Sequence, residues 1–348
     1  MSQGHSIHFV HYCSRSSYRL AQDRKTDADS FPHSYVLCSL ATVHANHLSF
    51  LRKGDFDIVY GNSHVPTFCS LLGKLLRVPL VFDMHGAAAE ELLLTEGKRR
   101  SLRFSSRFVV DKFIDFCNSI CANRIACVSH SMIEYLCASG VPVERTAYVP
   151  NGVDTSCFTP QPSSRCQHLR EELNLVDKFV FGYVGGTEEW QGVRELEESA
   201  NCIKNENVMF LVVGGNRTVR GGNLIHIPRV QHSLVKDYYS MCDVLVLPRP
   251  HHPATQIAAP TKFPEYAASG RPILTTDVGD AAALVREYSC GKVISDCSEK
   301  NLSSAVNHFV SLSKEDLKQM GRNSRKLAEE EFDWRRVGER LKLLIGSL

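Results

Sequence analysis

The stretch Pro260-Thr261-Lys262-Phe263-Pro264-Glu265-Tyr266-Ala267-Ala268-Ser269-Gly270-Arg271-Pro272 concentrates chemistry in little chain. Lys262 and Glu265 stand at i and i+3 near the start of an expected helix, so they share a face. A helix N-terminus offers unpaired N–H groups and the positive end of a dipole, which suits phosphate, and Lys262 adds a point charge there. Glu265, one turn in, can accept hydrogen bonds from two ribose hydroxyls, as an acidic residue does in dinucleotide folds. The same spacing also describes a capped surface helix with an ion pair. His85 follows a strand-like run in Phe82-Asp83-Met84-His85-Gly86. There a neutral imidazole can hydrogen-bond a hydroxyl or manage its proton, with Asp83 in reach to orient it; a histidine packed in a loop is the plain alternative. Asp55-Phe56-Asp57 has the look of a metal-binding acid pair, but it lies at the N-terminal end of a strand, away from where open parallel sheets bind ligands. It reads as a polar lead-in. His251-His252 lacks further ligands at suitable spacing and reads as a solvated loop, so no metal is expected.

These residues need elements to hold them. Apolar runs at 6–12, 57–61, 79–83, 124–129 and 147–150 alternate with amphipathic stretches, among them a helix over 66–77 and one ending at Gly140. Residues 151–177 contain Pro160, Pro162, Ser163 and Ser164 and read as a linker. The pattern then restarts with strands at 178–184, 208–213, 224–227, 244–247 and 272–275, and closing helices at 301–312, 315–331 and 334–345. Strand–helix repetition of this kind predicts an α/β chain of two Rossmann-like halves, each a parallel sheet with helices on both faces. Ligands bind beyond the C-terminal strand ends, which places a site in the cleft between the halves.

Composition agrees with this picture. The chain has 348 residues, enough for about two domains, with 43% hydrophobic and 22% charged residues. It carries no run of 18 apolar residues, so no membrane-spanning helix is expected. A net charge of +2 argues against nucleic acid as a partner. The 13 cysteines are scattered, with no C-x-x-C, and the start at Met1 lacks the features of a signal peptide. We read them as reduced thiols in a cytoplasmic protein.

Several collinear motifs resemble one family. Val149-Pro150-Asn151-Gly152-Val153-Asp154 through Phe158, Lys178–Val184 with Gly185-Gly186 and Trp190-Gln191-Gly192-Val193, Tyr238 through Asp243 to Pro248, Pro260–Pro272 and Phe332-Asp333-Trp334 together look like the family 4, retaining glycosyltransferases of GT-B fold. The resemblance implies an acceptor-binding domain at 1–160, a linker at 161–177, a nucleotide-sugar-binding domain at 178–330 and a last helix at 331–348 that crosses back onto the first domain. It implies transfer of a sugar from a nucleotide diphosphate sugar to a hydroxyl of a glycan, lipid-linked or other acceptor, with the anomeric configuration kept and no metal or other cofactor. Thr261, Lys262 and the Gly185-Gly186 turn would then face the diphosphate, Glu265 the ribose, and Gly214-Gly215 with Pro228-Arg229-Val230 the base. A His at the position of His85 is expected near the sugar. A "D-x-H-x-x-x-x-E" pattern points to Glu90 beside Asp83 on the acceptor side.

The chain departs from the family at three places. Ile257 stands where a Glu is common, Gly186 where many members have Arg, and Gln191 where they have Lys. Lys262 and Arg249 are the expected replacements for the lost charges. A catalytically weak or inactive homologue that binds nucleotide or a partner, and regulates an active subunit, is the alternative reading. The segment Tyr12–Arg19, with Arg15, takes the place of a glycine loop for acceptor or phosphate, and 26–33 reads as an insert. Residues 98–123 combine Lys98, Arg99, Arg100, Arg103 and Arg107 with Phe and Val side chains. Such a helix can rest on an anionic membrane, at the inner face for a cytoplasmic protein, or pack on a core with its charges outward.

Overall fold

The computed structural model describes residues 9–13, 33–37, 43–54, 56–96, 102–161 and 165–348. In the first half β1 (Phe9–Cys13) and β2 (His33–Leu37) pair in parallel, and helix α1 (Val43–Lys53) follows. Then come β3 (Val59–Asn62), α2 (His64–Ser70), β4 (Leu80–Met84), α3 (Ala88–Glu96), α4 (Leu102–Cys121), β5 (Arg124–Cys127), α5 (His130–Ala138) and β6 (Thr146–Tyr148). Strands β3-β4-β5-β6 form one sheet, parallel throughout. All five residues of β4 are buried, as a strand covered by helices on both faces requires. Helix α5 begins where the Ser129 hydroxyl accepts the Met132 N–H at 3.0 Å, an N-cap that fixes the turn after β5.

The second half runs α6 (Cys166–Glu172), β7 (Phe179–Val184), α7 (Val193–Ala200), β8 (Val208–Val213), β9 (Val219–Gly221), β10 (Leu224–Ile227), α8 (His232–Met241), β11 (Val244–Leu247), α9 (Pro253–Ile257) and α10 (Lys262–Ala268). It ends with β12 (Ile273–Thr276), α11 (Gly279–Glu287), β13 (Gly291–Ile294), α12 (Glu299–Ser311), α13 (Lys314–Leu327) and α14 (Trp334–Gly346). Its sheet has the order β13-β12-β11-β7-β8-β10-β9, with β9 the antiparallel edge. Strand β7 shows how the pleat feeds two cores: Val180 and Val184 join the cluster on one face, Phe181 and Tyr183 the cluster on the other.

Two stretches differ from the sequence expectation. Residues 161–177 are not a plain linker, because they hold α6, whose Arg170 donates to Asp243 at 2.8 Å and to the Met241 carbonyl at 2.8 Å. The helix expected over 66–77 tightens into a 3₁₀ turn at Leu71–Leu76, and that over 315–331 gives way to a π turn at Ala328–Phe332.

The chain crosses between the halves twice, side by side. Val153 N–H donates to the Phe332 carbonyl at 2.8 Å, and the Trp334 N–H returns to the Val153 carbonyl at 3.3 Å. A Cβ on Gly152 would stand 2.4 Å from the Trp334 ring, so only glycine lets the crossings approach. Helix α14 then lies on the first half, where Val337 and Leu344 pack with Val81, Ala126 and Val149. Arg340 stacks over the Tyr148 ring at 4.9 Å, and Arg124 Nε donates to the Ser347 hydroxyl at 2.9 Å.

Candidate active site

The loops that leave the C-terminal strand ends meet at the junction of the halves. Strand β7 gives Gly185-Gly186, β8 gives Gly214-Gly215, β11 leads through Pro248 to Arg249, and β4 leads to His85. The halves are joined there by direct bonds. The Asp280 carboxylate takes the N–H groups of His130 at 2.6 Å and Ser131 at 3.0 Å, while Asn151 Nδ2 donates to the Ala259 carbonyl at 3.1 Å. A cavity between them is lined by Val128, Tyr148 and Asn151 from one side and by Arg249, Thr255 and Pro260 from the other.

Two cations are buried at this junction. Lys262 is 8% exposed, and its Nζ donates to Tyr183 Oη at 2.5 Å and to Gln191 Oε1 at 2.7 Å. It also lies 4.3 Å from the centroid of the Tyr183 ring. The Tyr183 hydroxyl in turn donates a hydrogen bond to the Gly186 carbonyl. A Cβ at Gly185 would come within 2.6 Å of Lys262 Nζ, so the glycine admits the amine against the turn. Burial, then the Arg249 charge, pushes Lys262 down to about 7. Arg249 is 7% exposed; its Nη1 donates to the Ala258 carbonyl at 3.3 Å, and its buried Nε has no hydrogen-bond partner among the described residues. Burial pushes it down to about 10. Two buried cations, of which Arg249 depresses Lys262 and itself keeps an unmet donor, form an arrangement that an anion would complete. Helix α10 is seven residues long, and Thr261 is exposed at its start with no side-chain cap, so this anion site rests on the two cations rather than on a helix dipole.

Glu265 lies one turn along. Tyr239 Oη donates to its Oε2 at 2.6 Å. Burial raises the Glu265 carboxyl above the usual range, and the Tyr239 bond opposes that rise. The neighbouring loops are stitched together: the Gly214 N–H donates to the Ile227 carbonyl at 3.0 Å, and the Arg229 N–H to the Gly215 carbonyl at 3.0 Å. Half-buried Val230 follows in the same loop. Beneath them His226 bridges the Gly214 carbonyl, 2.9 Å from Nε2, and the Glu197 carboxylate, 2.5 Å from Nδ1.

Across the junction, His85 Nε2 lies 3.1 Å from Asp83 Oδ2, and this bond raises the imidazole above its ordinary value. The His85 side chain is 44% exposed, whereas Asp83 is buried and also bonds the Tyr60 hydroxyl. Glu90 is held in an ion pair with Lys112 of α4 at 2.7 Å. The next residue, Glu91, is the carboxylate whose field reaches both Arg249 and His85, and burial raises it. Arg15 and Asp55 lie outside the described residues. His252 caps α9 by accepting the Ala254 N–H at 3.1 Å, and His251 Nε2 lies 2.8 Å from the Ser295 carbonyl. Among the described residues no group of His, Cys, Asp and Glu could hold a metal ion. The buried thiols of Cys127, Cys242 and Cys297 are each pushed up to about 12 by burial, which leaves them inert.

The site thus brings Lys262, Arg249, Gly185, Gly186 and Glu265 to one wall, with His85 and Asp83 opposite. Sequence reasoning gave no role in the site to Tyr183, Tyr239, Glu91 or Asp280. Aromatic residues inside apolar runs look like core, and acids on helices look like solvated surface.

Outside the site, α4 turns Val109, Phe113, Phe116 and Ile120 outward, all exposed. The basic residues Lys98, Arg99 and Arg100 and the side chain of Arg103 lie outside the described residues. No helix of the described residues is long and apolar enough to cross a membrane.

Residues 1–156 match the model of Glycosyltransferase Family 4, and residues 178–311 that of Glycosyl transferases group 1. The chain is 27% identical over 265 residues to spore coat protein SA of Bacillus subtilis (strain 168), covering 67% of this chain and 68% of that protein. It is 23% identical over 321 residues to the capsular polysaccharide biosynthesis glycosyltransferase CapM of Staphylococcus aureus, covering 86% and 79%. Among solved structures it resembles HepE of Anabaena in complex with UDP, with a TM-score of 0.77, 14% identity and coverage of 98% and 92%. It also resembles WaaG, a glycosyltransferase involved in lipopolysaccharide biosynthesis, with a TM-score of 0.68, 16% identity and coverage of 97% and 99%.

Proposed function

The chain belongs to glycosyltransferase family 4 and has its GT-B fold, and on that premise we propose that it moves a sugar from a nucleoside diphosphate sugar to a hydroxyl, with retention and without a metal. The observation that carries this reading is the pair of buried cations, Lys262 and Arg249, beside the Gly185-Gly186 turn. In the reaction the bond from the sugar's anomeric carbon to the diphosphate oxygen breaks, and one to the acceptor oxygen forms on the same face. The acceptor's proton passes to the departing phosphate oxygen on that face, and the leaving diphosphate develops negative charge as its bond to the sugar breaks. Fixed cations in a water-poor site stabilise that charge without reorganising. Here Lys262 and Arg249 take the place of the Arg and Lys that other members carry at Gly186 and Gln191. Glu265 accepts the ribose hydroxyls, and the loops at Gly215 and Val230 border the base. His85, held by Asp83, hydrogen-bonds the sugar or the acceptor hydroxyl.

The donor class is supported by HepE, whose structures hold UDP and, in another complex, UDP-glucose. A glycan or lipid-linked acceptor is supported by relatives named for capsular polysaccharide and teichuronic acid biosynthesis. The outward apolar face of α4 supports contact with a membrane that carries such an acceptor.

A panel of uridine, guanosine and adenosine diphosphate sugars tests the reading. One donor should release its nucleoside diphosphate in the presence of the enzyme and stabilise the fold against heat. His85→Ala should retain donor binding while turnover falls by about a hundredfold, within the range of a lost general acid–base group. If no nucleotide sugar is bound or consumed, the enzyme reading fails; if His85→Ala turns over normally, the role of His85 does.

A further inference from the structure

We propose that Tyr239 is a positioning residue for the donor's ribose, holding one oxygen of Glu265 so that the rest of the carboxylate is presented to the ribose hydroxyls. The inference rests on the ribose role of Glu265 above. Tyr239 lies on α8, is 1% exposed, and donates its hydroxyl to Glu265 Oε2 at 2.6 Å. Its ring cannot swing away. Tyr266 meets it edge-on, with centroids 5.0 Å apart and an interplanar angle of 80°, and Phe158 lies 5.9 Å off. Tyr266 in turn accepts the Val184 N–H at 3.0 Å, one residue before Gly185. Two crossed tyrosines therefore tie the ribose carboxylate and the glycine turn to one aromatic block.

The chemistry explains why a hydroxyl is needed there. A carboxylate offers about four lone-pair sites. One is taken by Tyr239, which fixes the plane of the group, and the others remain for the two ribose hydroxyls. A half-buried carboxylate without that donor would turn or take up a proton, and in either state it is a poorer acceptor.

The test uses the full chain and isothermal titration. The probes are whichever of UDP, GDP and ADP binds most tightly, and its 2′,3′-dideoxy counterpart. The wild type should prefer the ribose form by about tenfold or more, the scale of a hydrogen bond to a charged group. Tyr239→Phe should lose about tenfold for the ribose form and leave the dideoxy form unchanged, so discrimination collapses. A residue that only packs would weaken both probes alike, and that result overturns the proposal. Glu265→Gln separates the two layers of the argument. If it discriminates as the wild type does, the ribose reading of Glu265 falls, and the proposal with it. If it loses discrimination while Tyr239→Phe keeps it, the Tyr239 proposal alone falls. Should Tyr239→Phe not fold, 3-fluorotyrosine at this position keeps the ring and sharpens hydroxyl donation; discrimination must then widen, and an unchanged ratio overturns the proposal.

Discussion

Lys262 is the residue whose chemistry most constrains the site. Its amine is pushed down to about 7 from an ordinary 10.5. Between those values the unfolded chain binds more protons than the folded one. The burial penalty is therefore fully present below pH 7 and is relieved as pH rises towards 10, so this group makes the fold more stable with rising pH in that window. A bound diphosphate reverses the shift by supplying the missing counter-charge. Binding of a nucleoside diphosphate at pH 8 should therefore take up a proton, and uptake should vanish near pH 6, where the amine is already charged. Titration calorimetry in buffers of different ionisation enthalpy reads this directly, and Lys262→Met should abolish it. Buffer-independent heats at pH 8 would show that the amine does not meet the phosphates. Lys262, Glu265 and Arg249 were legible in the sequence because helix-start spacing and a strand-end position single them out. Their partners were not. Tyr183 lies 79 residues from Lys262 and Gln191 lies 71 away, so only the folded sheet shows that they hold the amine.

At the scale of elements, β4, β5, β7 and β11 could be read as apolar runs, since parallel strands covered on both faces must be apolar throughout. Helix α6 could not. Pro160 to Ser164 has the composition of a linker, and what orders the following turn is the reach of Arg170 to Asp243, which local composition does not encode. The tightening of the 66–77 helix at Leu71 was not read from the sequence either. Two elements support predictions. Helix α14 buries Leu344 against Val149 and Ala126 of the first half, so Leu344→Ala should cost about 2–3 kcal/mol, seen as a lower denaturant midpoint. An unchanged midpoint would mean the helix does not hold that half. Helix α4 leaves Phe113 58% and Phe116 60% exposed. The double change Phe113→Ser and Phe116→Ser should reduce sedimentation with vesicles of anionic phospholipid and leave nucleotide binding intact. If the wild type does not bind such vesicles, the membrane proposal is removed.

For the whole molecule, the two-half α/β architecture followed from the restart of the strand pattern after residue 177 and from the order of the motifs. The mutual placement of the halves did not. Bonds such as Ser131 to Asp280, 149 residues apart, set how the cleft closes, and neither partner carries a motif. With the halves so joined, the loops of both sheets converge on a junction where Lys262 and Arg249 bring buried positive charge to one wall. The central claim is that this charge grips the diphosphate of a sugar donor. The most direct measurement compares the affinity of a nucleoside diphosphate with that of its parent nucleoside, in the wild type and in Lys262→Met and Arg249→Met. The account predicts that the diphosphate improves binding in the wild type by at least about tenfold. Each variant should lose most of that gain while binding the nucleoside as before. Variants that keep the full gain would contradict it.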